Sequence, residues 1–423
     1  MRILILTLGT RGDVQPYVAL GMGLRAAGYD VTLMTETGFA GFVEERGLRF
    51  APLRSELLSL LQTPEGKAAA VGKGNPLKLL RQVGPMLRRM LDDEWAVAQG
   101  IDAVIYHPKA MGGHSIAQKL GIPGILALPL PLYSPTRAFP SLLLPFDNLG
   151  GTLNQLSHRA VLALTRASVS GVLNRWRKEV LGLPPAGDEL TLHGRPLLRL
   201  YGYSPAVLPT PDDWAGRSIA TGYWFLDRPA DWQPPAALLE FLRGGPPPVY
   251  IGFGSMPAED ARANTALTLE ALARAGQRGV LATGWGGLAA AELPPSIHLL
   301  EQAPHDWLFP QMAAVVHHGG AGTTAAGLRA GMPTVICPFF GDQPFWGRRV
   351  AALGAGPQPI PQRRLTAARL AEAIRTAVGD PALREHAAAL GATIRAEDGV
   401  ARAIELIETE LHSKRAEGQH VAA

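Results

Sequence analysis

This sequence predicts an α/β protein of two doubly wound parallel-sheet domains facing each other across a cleft. Three observations carry that prediction. A strand, glycine turn, helix and strand open the chain, the same grammar restarts past the middle, and a stretch dense in Pro, Gly and Trp separates the two. At 423 residues the chain is long for a single core, and two domains of about 200 residues suit it better.

Arg2 to Leu8 is an apolar run rich in β-formers, closed by Gly9-Thr10-Arg11-Gly12-Asp13. Val14 to Ala27 then has helical spacing with Gly28 as its stop, and Tyr29 to Met34 reads as the next strand. Ala103 to Tyr106 and Gly124 to Leu128 are further strands around a helical stretch, Ser115 to Leu120, and Asn154 to Val180 reads as one long or broken helix. These elements define a first domain over residues 1–205. Residues 206–248, which include the run GGPPP, have the composition of a linker region. A second domain over 249–412 begins with a strand at Pro247 to Phe253, closed by Gly254-Ser255. Thr265 to Ala275 follows as helix and Gly279 to Thr283 as strand, and the strands His298 to Leu300, Ala314 to His317 and Thr334 to Pro338 complete the sheet. Leu365 to Leu411 is helical, and 413–423 reads as a flexible tail.

Composition excludes several classes. The net charge of +4 is the balance of 40 basic and 36 acidic side chains scattered along the chain, with no basic run, so nucleic acid is not an expected partner. The single cysteine, Cys337, lies in an apolar run and reads as a buried strand thiol. The chain enters a strand at once, without the regions of a signal peptide, and no apolar stretch is long enough to span a bilayer. The expected location is therefore the cytoplasm, with membrane contact at most peripheral. No HExxH, DxD or close His/Asp ligand set is present, and no metal or cofactor is expected. Asp92-Asp93 and Asp212-Asp213 read as solvated pairs, and His305 and Asp306 as residues that orient their loop.

The most specific stretch is His317 to Gly347, HHGGAGTTAAGLRAGMPTVICPFFGDQPFWG. Gly319, Gly320 and Gly322, with the hydroxyls of Thr323 and Thr324, follow a strand and open a helix, which makes an anion site of backbone N–H groups and helix dipole; His318 adds a donor. A glycine turn alone also serves merely to start helices. The next strand ends in GDQPFWG, so Asp342 and Gln343 project at the same sheet edge, where a carboxylate beside an amide suits vicinal hydroxyls. The bland reading of Asp342 is a helix N-cap with Pro344 near the first turn.

At these residues the sequence resembles the inverting nucleotide-sugar glycosyltransferases of family 1 with the GT-B fold, two Rossmann-like domains, and among them the sterol 3-beta-glucosyltransferases. The resemblance runs through LGTRGDVQPY, VYIGFGSM, APHDWLFP and the block from HHGGAGTT to GDQPFWG. It implies inverting transfer of glucose from UDP-glucose to a hydroxyl of a bulky apolar acceptor, a sterol, triterpenoid or similar alcohol, giving a β-glucoside. It further implies that Ser255, His318, Gly320, Gly322 and Thr323 hold the diphosphate, that Asp342 and Gln343 hold the sugar, and that Ala303 bonds the base through its backbone. Gln302 stands where plant members place a base-stacking Trp, and Ala326 where they place a ribose-binding Glu. UDP is favoured over TDP.

Asp13, just after the first strand, is the candidate general base, with capping of the following helix as the bland reading. Thr10 and Gly12 in the same turn are candidates for phosphate or loop contacts. His107, His114 and Tyr133 are candidates for acceptor contact, beside the apolar Pro-rich stretch Leu128 to Phe146. Competing readings are a glycosyltransferase for a polyketide or carotenoid alcohol using another UDP- or TDP-sugar, a nucleotide-sugar epimerase on the same architecture, and an inactive homologue acting as a binding module. A dinucleotide-dependent dehydrogenase fits poorly, because LGTRGDVQP lacks the GxGxxG spacing.

Overall fold

A computed structural model of the chain describes residues 1–55, 76–253, 261–282 and 293–421. In the first half the strands are β1 (Arg2–Leu6), β2 (Asp30–Glu36), β3 (Arg49–Leu53), β4 (Ala103–Tyr106), β5 (Gly124–Leu128), the short pair β6 (Thr191–Leu192) and β7 (Arg195–Pro196), then β8 (Leu198–Tyr201) and β9 (Ser218–Ala220). The second half supplies β10 (Val249–Gly252), β11 (Gly279–Ala282), β12 (Ile297–Leu300), β13 (Ala314–His317) and β14 (Thr334–Ile336). Among the described residues the first sheet has the order β3-β2-β1-β4-β5-β8-β9 and the second β12-β11-β10-β13-β14. Every neighbouring pair in both sheets is parallel. Strand order therefore reverses between β1 and β4 in one sheet and between β10 and β13 in the other.

A parallel sheet carries helices on both faces, so its strands are buried runs whose side chains alternate between two cores. β1 does this: Leu4 and Leu6 enter one apolar cluster with Val104 and Leu126, while Ile3 and Ile5 enter another with Val14, Val18 and Leu33. The first of these clusters also takes in Ala325, Leu328, Trp346 and Val350 from the second half, so the two domains share continuous apolar packing. Cys337 lies just past β14, fully buried, and burial pushes its thiol up to about 12, which leaves it inert at neutral pH.

Three boundaries differ from the sequence reading. The first helix is Arg11–Ala26, starting before Val14, because the Asp13 carboxylate accepts the Thr10 N–H at 2.8 Å and closes the preceding turn. Strand β9 lies inside the stretch read as linker and pairs with β8, completing the first sheet. The helix Gly399–Val421 crosses back to the first domain, where Ala403, Ile407 and Leu411 pack with Val14 and Leu20, and Arg217 pairs with Glu410 at 2.9 Å. Helical backbone runs to Val421, through most of the expected tail. Of the acidic pairs read as solvated, Asp213 accepts the Thr136 hydroxyl at 2.7 Å and the Arg137 N–H at 2.8 Å, and Asp92 accepts the Trp176 indole N–H at 3.1 Å. Asp213 thus anchors the loop at Thr136, and Asp92 ties its helix to the helix Gly151–Trp176, because buried donors nearby need acceptors.

Candidate active site

In doubly wound sheets the loops that leave the strand ends at the order reversal diverge and open a crevice. Here those loops are the turn after β1, Thr7 to Thr10, and the turn after β4, His107 to Gly112. In the second sheet the turn after β13, His318 to Gly320, adjoins the reversal and the loop after β14 carries Asp342. A cleft of about 1460 Å³ lies between the halves. The first turn of the helix Arg11–Ala26 and that of the helix Ala321–Arg329 both line it, through Arg11 and Gly12 on one side and Gly322 and Thr323 on the other. Two helix N-termini with their unpaired N–H groups thus converge on one space, an arrangement that favours an anion.

Of the residues singled out from sequence, Gly12, Gln302, Ala303, Gly322 and Thr323 line the cleft. Ala326 lines it too, as does an aromatic wall from the stretch read as linker, Tyr223, Trp224, Phe225 and Trp232, with Trp232 packed on Trp307 at 5.2 Å between ring centres. The density of aromatic residues in that stretch was the signal for this wall. Asp306 pairs with Arg228 at 2.8 Å and His305 stacks on Phe309 at 4.2 Å, and both line the cleft as well. Ser255 lies outside the described residues.

The turn after β13 is built by side chains folding back on backbone. His317 Nδ1 accepts the Gly319 N–H at 2.9 Å, and the Thr324 hydroxyl donates to the Gly320 carbonyl at 3.0 Å. Thr324 is buried and consumed by its own helix, which leaves Thr323 as the hydroxyl facing the cleft. His318 Nδ1 is buried without a partner among the described residues, and burial pushes the ring down to about 4. His318 is therefore neutral at physiological pH and offers one N–H donor rather than a positive charge. Gly319 sits at φ +91°, where an added Cβ would lie 2.7 Å from an Ile336 methyl and 3.1 Å from the Gln343 carbonyl oxygen. Gly319→Ala is expected to destabilise the protein by about 1–3 kcal/mol through backbone strain and overpacking, read as a lowered urea midpoint. An unchanged midpoint would show that the turn has room to relax.

Asp342 occupies the N-cap position of the helix Gln343–Ala352, yet its side chain makes no capping bond. Its Oδ2 instead accepts the buried Trp346 indole N–H at 2.8 Å. Burial raises the Asp342 pKa, Trp346 counters it, and Asp13 and Lys109 act on it from the other domain. Gln343 is buried, its Oε1 accepting the N–H groups of Phe339 at 2.8 Å and Phe340 at 3.2 Å. Its amide oxygen thus shapes the loop that presents Asp342.

Asp13 lies at the third position of its helix. Oδ2 accepts the Thr10 N–H at 2.8 Å and the Thr10 hydroxyl at 3.1 Å, and Oδ1 accepts Lys109 Nζ at 2.6 Å. Thr10 therefore holds the carboxylate. Burial pushes the Asp13 pKa up, but the Lys109 ammonium, His107 and these hydrogen bonds outweigh it and leave it below the usual carboxylate range. Lys109 is the residue that sequence reasoning missed. It stands in the turn after β4, the strand beside β1 at the order reversal, so the topology rule pointed there.

The three acceptor candidates are not brought together. His107 is buried, takes the Lys109 N–H at 3.0 Å on Nδ1, and is pushed down to about 3 by burial and by Lys109. His114 Nε2 bonds the Thr191 carbonyl at 2.8 Å and lines a separate cavity of about 210 Å³ with Gln118 and His193. Its part is to tie the helix Gly113–Leu120 to β6. Tyr133 packs half-buried against the first-domain core. The apolar stretch around it does reach the second domain: Phe139 meets Phe345 at 6.1 Å between ring centres, and Arg348 pairs with Asp147.

Two domain models match the chain in this order: the glycosyltransferase family 28 N-terminal domain over residues 3–139, and the C-terminal domain of erythromycin biosynthesis protein CIII-like proteins over residues 269–405. The fold is shared with solved glycosyltransferases. The glycotransferase of kitacinnamycin superposes with a TM-score of 0.72 at 24% identity, covering 97% of this chain and 99% of that one. For the spinosyn forosaminyltransferase SpnP the TM-score is 0.71 at 17% identity, over 97% of this chain and 99% of that one. The architecture is thus that of the GT-B glycosyltransferases.

Among curated proteins, sterol 3-beta-glucosyltransferase UGT80B1 of Arabidopsis thaliana is 38% identical over 424 aligned residues, covering 97% of this chain and 68% of that protein. The sterol 3-beta-glucosyltransferase of Neosartorya fischeri is 40% identical over 430, covering 97% of this chain and 30% of its own length. The chain belongs to the sterol 3-beta-glucosyltransferase family. It spans about a third of the fungal relatives and about two thirds of the plant one.

Proposed function

We propose that this protein transfers glucose from UDP-glucose, with inversion, to a hydroxyl of a sterol or a similarly bulky apolar alcohol. Asp13 serves as the general base, removing the acceptor proton as its oxygen attacks the anomeric carbon from the face opposite the diphosphate. The diphosphate leaves toward the N-terminus of the helix Ala321–Arg329, where the N–H groups, the Thr323 hydroxyl and the neutral His318 donor receive its charge. Asp342 and Gln343 hold the sugar hydroxyls, and the Ala303 backbone and its neighbours hold the nucleobase. Because the departing charge is met by fixed dipoles and donors, the reading needs no metal.

One observation carries it. Asp13 follows β1 of the first domain and Asp342 follows β14 of the second, near enough that Asp13 helps raise the Asp342 pKa across the domain boundary, beside a cleft lined by the first turns of both helices. That juxtaposition is what an in-line displacement between two bound substrates requires, whereas an epimerase needs no acceptor side. The family membership supports the sterol class, and the apolar stretch Leu128 to Phe146, with Leu143 and Phe146 about half exposed, supports a bulky apolar acceptor. Among the described residues no helix is long and apolar enough to cross a membrane.

The test is mass spectrometry of products from UDP-glucose and a panel of sterol, triterpenoid, flavonoid and polyketide alcohols, with and without EDTA. A hexose adduct on a sterol that survives EDTA is the expected outcome. An epimerised nucleotide sugar without any adduct would replace this reading by the epimerase, and activity abolished by EDTA would overturn the metal-free scheme.

A further inference from the structure

The Asp13 carboxylate has room for about four hydrogen bonds, two on each oxygen. Oδ2 is filled by the Thr10 amide and hydroxyl, and Oδ1 holds Lys109 Nζ at 2.6 Å. The remaining place for an acceptor hydroxyl is therefore on Oδ1, beside the ammonium. The fit around the pair is tight. Gly9, at φ +128°, leaves no room for a Cβ, which would fall onto the Asp13 carboxylate and within 3.0 Å of Lys109 Nζ.

The turn that delivers Lys109 is held from below. His107, only 6% exposed, accepts the Lys109 N–H on Nδ1 at 3.0 Å, and its ring lies edge-on to Tyr17 at 6.1 Å between centres. Tyr17 in turn donates to the Ala127 carbonyl at the end of β5. A packed chain of rings thus fixes where the lysine leaves the backbone, while its side chain remains 43% exposed.

We propose that Lys109 is a positioning residue for Asp13: its ion pair holds the carboxylate rotamer that presents Oδ1 to the acceptor hydroxyl, and the His107 ring holds the turn that delivers it. This rests on the reading of Asp13 as the base. Lys109 and His107 after β4 and Thr10 in its own turn act on Asp13, and Asp13 in turn acts on Tyr17 of its own helix, Glu36 at the end of β2 and Asp342 after β14. Lys109 is the cation common to the three carboxylates Asp13, Glu36 and Asp342. Burial alone drives Asp13 toward its protonated form, and the ammonium is the largest influence opposing it. Removing Lys109 therefore leaves burial opposed only by His107 and the Thr10 hydrogen bond, and the carboxylate ionises at higher pH.

The experiment is the pH profile of kcat/KM for glucosyl transfer to a sterol by the wild type, Lys109→Met and Lys109→Arg, with Asp13→Asn measured beside them and melting temperatures confirming that each folds. Lys109→Met is expected to move the acid limb upward by about one unit or more and to lower kcat by roughly 10- to 100-fold through misplacement of the base. Lys109→Arg, which keeps the charge, is expected to restore the limb toward the wild-type position. A Lys109→Met acid limb that superposes on the wild type, with Asp13→Asn inactive, overturns the role of Lys109 alone. Full turnover in Asp13→Asn removes the base assignment, and the proposal falls with it.

Discussion

Asp13→Asn is expected to lower kcat by roughly 10²- to 10⁴-fold, the range of a positioned base, while UDP binding stays nearly intact. The geometry keeps the Thr10 side of this substitution, while the amide NH2 takes the place of the oxygen that accepts Lys109. The Asn side-chain oxygen can still accept the Thr10 N–H, now made to Asp13 Oδ2 at 2.8 Å, so the turn and the helix that follows keep their start. What is lost is the charge that pairs with Lys109 and the ability to take a proton. The structural alternative, a carboxylate serving only to close the helix turn, predicts a small loss of stability and unchanged chemistry. Single-turnover rates with UDP-glucose and a sterol, read with calorimetric UDP affinity, separate the two. In the wild type the acid limb of the rate should lie below the usual carboxylate range, because Lys109 and the Thr10 bonds hold Asp13 ionised despite its burial.

Asp342→Ala is the second large effect. Loss of charged hydrogen bonds to the sugar, worth together about 3 kcal/mol, lowers kcat/KM for the donor by roughly 10²-fold, with UDP affinity spared. The same change strips the buried Trp346 indole of its acceptor and should cost about 1–3 kcal/mol of stability, visible as a lower urea midpoint. Asp342→Asn divides these effects: an amide oxygen can still serve Trp346, so stability returns, while the charge toward the sugar does not. If UDP affinity fell with either substitution, Asp342 would belong to the diphosphate or to the loop rather than to the sugar.

Much of the site was legible because its residues sit in local motifs whose backbone consequences are local. HHGGAGTT follows a strand and opens a helix, and that alone brings Gly322 and Thr323 to a helix N-terminus. GDQPFWG follows the next strand in the same way, which puts Asp342 at the neighbouring edge. Strand ends such as Ala103–Tyr106 and Gly124–Leu128 were marked by buried β-branched and apolar runs against charged or glycine flanks. The bond of His114 to the Thr191 carbonyl, 77 residues away, could not be read from sequence, because no local pattern carries that distance.

The sequence by itself determined the two α/β units, their division near the middle of the chain, and the short-range turns that create an anion site and a carboxylate at a strand end. Those follow from hydrophobic period, glycine placement and helix starts, all set within a few residues. Only the tertiary structure decided that Lys109 closes on Asp13 across 96 residues, that Asp13 of one domain acts on Asp342 of the other, and that the last helix returns to the first. These depend on which faces bury against which, and buried apolar surface is non-directional, so its partners are chosen by the whole packed chain rather than by any segment.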